Sequence, residues 1–157
     1  MLDEGSAPPL PSWTSSFIVA ERENQALQTA IVDFEKFVTS AFWYASPDYV
    51  TSEPAMQVFQ GELEQLAQQT RYERHQLVSM QVNSFDVQSA NLAVVTVTET
   101  WQDRLFEGNA YDYDAETPPL GERGPYSLKV VYTLSFNSER NVWQVQQVVF
   151  ENQPPGW

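Results

Sequence analysis

Glu99 and Asp103 stand four residues apart in a Val- and Thr-rich stretch, 92–105, whose alternation predicts a β-strand. Both carboxyl groups and the intervening Trp101 then point to one face. Turned inward, such an acid is desolvated and suited to abstract a proton from a small substrate, as in an isomerase or dehydratase. Turned outward, the same residues make a solvated row with Arg104 and Lys129 as counter-charges, which is the simpler expectation. His75, the one histidine, adjoins Arg71, Tyr72 and Arg74. It has the chemistry of a general base or an anion contact. Without a second histidine or an acid at a fitting spacing, it is expected at the surface, offsetting the acidic field. Zero cysteines exclude a cysteine nucleophile, a disulfide framework and a Cys-based zinc site, and one histidine excludes a multi-His metal site. Tyr111-Asp112-Tyr113-Asp114 lacks the glycine and the closing glutamate of an EF-hand and reads as an acidic, solvated contact loop. No cofactor or metal is expected.

Eight basic against twenty-one acidic residues give a net charge of −13. That field repels phosphates and anionic headgroups, which argues against nucleic acid and membrane surfaces. No apolar run reaches the length of a membrane span, so direct insertion is not expected. A protein or peptide ligand with basic flanks suits the field. If such a ligand ends in a carboxylate, Arg74 and Arg104 are the expected anchors, because guanidinium pairs with carboxylate through two parallel hydrogen bonds. Of the aromatic residues, Tyr132 and Trp143 are expected in the core. Trp101 and Tyr126 stand nearer a long connection and are expected to be more open.

These residues need a frame, and 157 residues at 42% hydrophobic content suffice for one domain. Residues 1–15, with Pro8, Pro9 and Pro11, read as a flexible tail or linker, 16–151 as the domain and 152–157 as a second tail. Leu27, Ala30, Ile31, Phe34, Phe37, Val38, Ala41 and Phe42 form one apolar stripe of a helix from about Ile18 or Asn24 to about Ala45. Gln28, Asp33, Glu35 and Lys36 are assigned to its outer side. Ser46-Pro47 stops it. Ser52 is expected to cap a second helix that runs to Gln69-Thr70, with Met56, Phe59, Leu63 and Leu66 inward. From Tyr72 the period changes to two. Val78, Met80 and Val82 alternate, a bulge is expected near Asn83-Ser84, and Ser89-Ala90-Asn91 turns the chain. After the second strand comes a connection from Glu107 to Gly124. A strand with Tyr126, Leu128, Val130, Tyr132, Leu134 and Phe136 follows, then a turn at 137–141 and a last strand with Trp143, Val145 and Val149. The expected fold is α+β: N-terminal helices packed on a strongly curved, cone-like four-stranded antiparallel meander. It looks like the nuclear-transport-factor-2-like cone.

The strand half also resembles the IMS domain found at the C-terminus of plastid-division proteins, of their bacterial relatives and of some bacterial Ser/Thr kinases. The resemblance is carried by Tyr72 and Arg74, by Val82 and Ser84, and by Ala93, Val95, Val97 and Glu99. It continues through Leu105, Tyr132 and Leu134 to Trp143 and Val145, and spans about residues 25–150. It implies a non-catalytic scaffold that binds a partner protein in cell division, in one branch the C-terminal tail of a second membrane protein. It brings no catalytic residues. The expected ligand contacts are Tyr72, Arg74, His75, Trp101, Arg104 and Tyr126. The alternative is a small-molecule enzyme of the cone fold with Glu99 or Asp103 as base. A periplasmic assembly component of secretion machinery and a homodimer through the exposed sheet face are further expectations. The opening residues do not read as a signal peptide. The compartment is therefore expected to be the cytoplasm, or a periplasmic or intermembrane space if the chain is cut from a longer, membrane-anchored one.

Overall fold

The computed structural model describes residues 12–49 and 54–157, with side chains described from residue 23 onward. Helix α1 runs Ser12–Tyr44, a 3-10 turn covers Pro47–Tyr49, and α2 (Pro54–Gln57) and α3 (Gln60–Gln68) follow. The sheet comprises β1 (Arg71–Ser89), β2 (Leu92–Glu107), β3 (Gly121–Asn137) and β4 (Val142–Phe150), with a second 3-10 turn at Ala110–Asp112. The strands pair antiparallel in the order β1-β2-β3-β4 and leave β1 and β4 as edges, so the sheet is open and the fold is the expected cone-like α+β arrangement.

Helix α1 starts earlier than the apolar stripe alone predicts, inside the stretch read as a tail; residues 1–11 lie outside the described part. Its end is where proline chemistry puts it. Ala45 takes a left-handed φ of 48°, the Ala45 amide donates to the Phe42 carbonyl and the Ser46 amide to the Ala41 carbonyl. Those two bonds satisfy carbonyls that the helix would otherwise orphan, and Pro47 prevents continuation. The second helix is not continuous. It breaks at Val58-Phe59, where the Phe59 amide bonds back to Met56, and the Phe59 ring packs against Phe34, Phe42 and Phe150. The expected cap at Ser52 lies outside the described residues.

Burial on β2 alternates without interruption through Ala93, Val95, Val97, Glu99, Trp101, Asp103 and Leu105. This face meets Leu27 and Ile31 of α1 and joins Leu128, Val130, Tyr132 and Leu134 of β3 in the main core. Each fully buried Leu, Ile or Val contributes roughly 1.5–3 kcal/mol. Register shifts on β1 fall between Val82 and Ser84, as expected, and also between Leu77 and Ser79 and between Val87 and Ser89. The shift at Leu77/Ser79 packs Leu77 against the core with Met80 and Val82 and leaves Val78 half exposed, so Val78 drops out of the expected alternation.

The β2–β3 ladder carries a shift of its own, and it shapes the polar interior. Trp101 pairs with Tyr126 and Asp103 pairs with Arg123, so Gly124 and Pro125 together oppose Gln102. This bulge lets Arg123 and Tyr126, three apart in sequence, face Asp103 together. Gly124 has a φ of +104°, and a Cβ there would lie 2.6 Å from the Trp101 carbonyl oxygen. Glycine is therefore required twice over, by conformation and by space. Gly124→Ala is expected to destabilise the fold by about 2–4 kcal/mol, measured by chemical denaturation; a loss smaller than about 0.5 kcal/mol would show that the bulge tolerates a side chain.

Candidate functional site

Two groups of polar side chains occupy the concave side of the sheet beneath α1. The first is centred on Asp103, which is wholly buried. His75 lies directly across from it on β1, with Nδ1 2.7 Å from Asp103 Oδ1 and Nε2 2.9 Å from Glu73 Oε2. Arg123 Nε donates to Asp103 Oδ2 at 2.7 Å, and the Tyr126 hydroxyl donates to the same oxygen. Arg123 also reaches Glu73 at 3.8 Å. Two carboxylates thus face two cations. Burial alone would lower the His75 pKa, but its hydrogen bonds to Asp103 and Glu73 override that and push it up to about 9. Burial alone would raise Asp103, but the bonds from His75, Tyr126 and Arg123 hold it below its ordinary value.

The second group is Glu35 on α1, Glu99 on β2 and Tyr132 on β3, all buried. Glu99 accepts from the Trp101 indole at 3.0 Å and from the Tyr132 hydroxyl at 2.5 Å. Tyr132 Oη also lies 3.0 Å from Glu35 Oε1. A phenol has one proton to give, so with that proton on the Glu99 side the Glu35 contact needs a proton on Glu35. The electrostatics agree: burial first, then the Glu99 carboxylate beside it, push Glu35 up to about 10.

Both groups border an interior pocket of about 250 Å³, walled by Phe34, Val38, Phe42 and Phe59 from the helical side and by Leu128 and Phe150 from the sheet. Glu62 on α3 and Gln153-Pro154 complete its rim. A second, larger groove of about 640 Å³ runs between α1 and the β1–β2 strands. Lys36, Arg74 and Arg104 border it, three of the eight Lys and Arg residues in the chain. The Arg74 guanidinium is stacked 3.9 Å from the Trp43 ring centroid and 4.2 Å from that of Tyr113. Among the described residues no carboxylate forms an ion pair with it, while exposed Arg104 pairs with Glu122 at 3.0 Å.

The residues expected to act together therefore separate. His75, Trp101 and Tyr126 border the pocket with Glu99, whereas Arg74 and Arg104 border the groove, which His75 and Trp101 also reach. Tyr72 reaches neither; it stacks on Phe106 and packs against Trp43 in a small separate core. Five expectations are corrected. Trp101 is buried in the main core instead of open, and Phe37 of the α1 stripe is 41% exposed. Glu99 and Asp103 form no solvated row, and the cations at Asp103 are His75 and Arg123 instead of Arg104 and Lys129. His75 is no surface histidine, because cross-strand pairing brings it an acid twenty-eight residues away. Glu35 is not on the outer side of α1. Glu35, Glu73 and Arg123 were missed as site residues. The available signals were Glu35 four residues after Ile31, in line with the stripe, and Glu73 two residues before His75, on the same strand face.

No family model and no curated protein matches the chain. Among solved structures it is similar to the intermembrane-space region of the chloroplast protein ARC6, with 15% identity over 91% of this chain and 98% of that one and a TM-score of 0.51. It is also similar to a periplasmic fragment of TraM (14% identity, 77% of this chain and 96% of that one, TM-score 0.46). A third similar structure is a cystatin-like domain of unknown function from Nostoc punctiforme (14% identity, 82% and 78%, TM-score 0.44). The shared fold rests on the first of these. Among the described residues no helix is long and apolar enough to cross a membrane.

The raised His75 pKa fixes a sign. The folded state holds the proton more tightly than the unfolded chain, so the His75 contribution to stability is complete below about pH 6.5 and is lost as pH rises through about 9. That contribution is on the order of 3 kcal/mol. The His75 ring is expected to remain protonated at pH 7.5 by NMR; an imidazole titrating near its ordinary value would contradict the ion cluster.

Proposed function

We propose that the domain is a non-catalytic binding module that receives a segment of a partner protein in the groove between α1 and the β1–β2 strands. The observation that carries this reading is the gathering of Lys36, Arg74 and Arg104 at one groove of a chain with net charge −13. Arg74 and Arg104 are direct register partners across β1 and β2. Like charges placed opposite each other repel, and an anion between them reverses the sign. Trp43 and Tyr113 hold the Arg74 fork between their rings, so less side-chain freedom is lost when it binds. A carboxylate is the anion that suits two guanidinium forks, and a chain end supplies one. The acidic remainder of the surface favours basic residues upstream of that carboxylate. The IMS-domain resemblance, with a role in cell division and a C-terminal tail as ligand, agrees with this reading, and the ARC6 region shares the fold.

A second reading, a small-molecule acid–base enzyme, draws support from Glu99 buried at the interior pocket. Asp103 is a poor base there, since His75, Arg123 and Tyr126 occupy its oxygens. Turnover of a carbonyl or hydroxy substrate that disappears in Glu99→Gln would favour this reading over the first.

The binding reading is tested with a peptide array displayed with free C-termini against the same array amidated. Peptides with basic flanks and a free carboxylate are expected to bind. Amidation or the double substitution Arg74→Ala/Arg104→Ala is expected to weaken them by about tenfold or more. Equal binding of amidated peptides, or unchanged affinity in the double variant, would remove the anchor.

A further inference from the structure

We propose that the interior pocket is a site for a small organic cation: an ammonium group on a compact apolar body, with Glu35 and Glu99 as its carboxyl partners. The argument begins with a charge count. His75 and Arg123 border the pocket, but both are matched by Glu73 and Asp103. Glu99 receives only neutral donors, the Trp101 indole and the Tyr132 hydroxyl. The wall therefore holds a buried carboxyl group, Glu99, that none of the described ion pairs balances. Leaving a charge in this state is costly, and a bound cation relieves the cost.

Glu35 supplies the second, independent observation. It is 6% exposed and borders the pocket, and although the carboxyl also hydrogen-bonds Glu99, no described N–H or O–H group donates to its Oε2. An N–H donor from a ligand would fill that vacancy in the hydrogen bonding. The apolar walls select the same class. The Phe59 ring centroid lies 5.9–6.3 Å from those of Phe34, Phe42 and Phe150. Phenyl faces attract a cation and accept an apolar body equally well. A cavity of about 150 Å³ is enough to bind benzene; the 250 Å³ here has room for one ring and a short chain. A neutral ligand would leave the Glu99 charge unmatched, and an anion would add to it. A bare metal ion is a poorer fit, because among the described residues no group of three or more His, Cys, Asp or Glu side chains is arranged to hold one.

This site is separate from the carboxylate anchor, although pocket and groove share a wall at Glu35, Thr39, His75 and Trp101. The test titrates the full chain at pH 7 and low salt with benzylamine, 2-phenylethylamine, cyclohexylamine and hexylamine. Each is compared with the alcohol of the same skeleton by calorimetry and tryptophan fluorescence. At least one amine is expected to saturate a single site and to bind about tenfold more tightly than its alcohol. Glu99→Gln is expected to reduce that preference to about twofold or less, and Arg74→Ala/Arg104→Ala to leave it intact. If Glu99→Gln does not fold, Glu35→Leu carries the test instead: it removes the Glu35 carboxyl at similar volume without changing the charge at pH 7, and it is expected to weaken the amines by about tenfold. Alcohols binding as tightly as their amines, no amine saturating the folded protein, or a preference that survives the glutamine substitution would each overturn the proposal. Loss of peptide binding with amine binding retained would instead fault the groove.

Discussion

A carboxylate with no access to water needs every lone pair occupied, and Asp103 imposes that condition on three strands at once. His75 answers from β1 and Arg123 and Tyr126 answer from β3, the latter two only because Gly124 and Pro125 bulge between them. Desolvating such a group costs several kcal/mol, and the pairing has to return that cost. A slip of one residue in either ladder would move Asp103 to the other face or leave it unpaired in the core. Apolar alternation alone tolerates more than one register on Val-rich strands. The ion cluster singles out one of them, and the long meander is held in it from near the middle.

The architecture was legible because its signals are local. A helical stripe ending at Ser46-Pro47, a change of period at Tyr72 and turns at 89–91 and 137–141 each depend on near neighbours in sequence. The site was less legible because its partners are distant. Asp103 and His75 are twenty-eight residues apart and meet only through register, which three shifts along β1 make unreadable from spacing. Glu35 was set on the wrong side of α1 by its polarity, although its position four residues after Ile31 places it with the buried stripe. The reading that charged residues face water fails wherever a second charged residue waits on the facing element. Here that happens on α1, β1, β2 and β3 together. The helix break at Phe59 was hidden for a related reason: the ring that demands it packs on Phe150, at the far end of the chain.

An acidic chain has few cations to spend, and their distribution separates two kinds of work. Arg123 is consumed internally by Asp103 and Glu73. Arg74 is held between aromatic rings with no acid in ion-pair contact among the described residues, and Lys36 and Arg104 stand near it at the groove. The interior pocket reverses this arrangement: its cations are neutralised and its acids are in excess. A fold with an open sheet and one covering helix layer thus places two surfaces of opposite charge bias side by side, separated by the wall that carries Glu35, His75 and Trp101.

Arg123 also connects this interior to the end of the chain. Its Nη1 donates to the Pro155 carbonyl at 3.1 Å, and its guanidinium lies 4.3 Å from the Trp157 ring centroid. The Trp157 indole in turn donates to Glu73 at 3.1 Å. Residues 151–157 contain no helix or strand, yet they follow a defined path. The Glu151 amide bonds to the Lys129 carbonyl, and the Asn152 side chain bonds the Lys129 amide and the Ser127 carbonyl, replacing a missing strand partner along β3. Gln153 and Pro154 are carried onto the pocket rim by these fastenings. The rim is therefore no independent loop. It is positioned by the same arginine that satisfies Asp103, so the geometry of the pocket entrance and the charge balance of the core follow from one set of contacts.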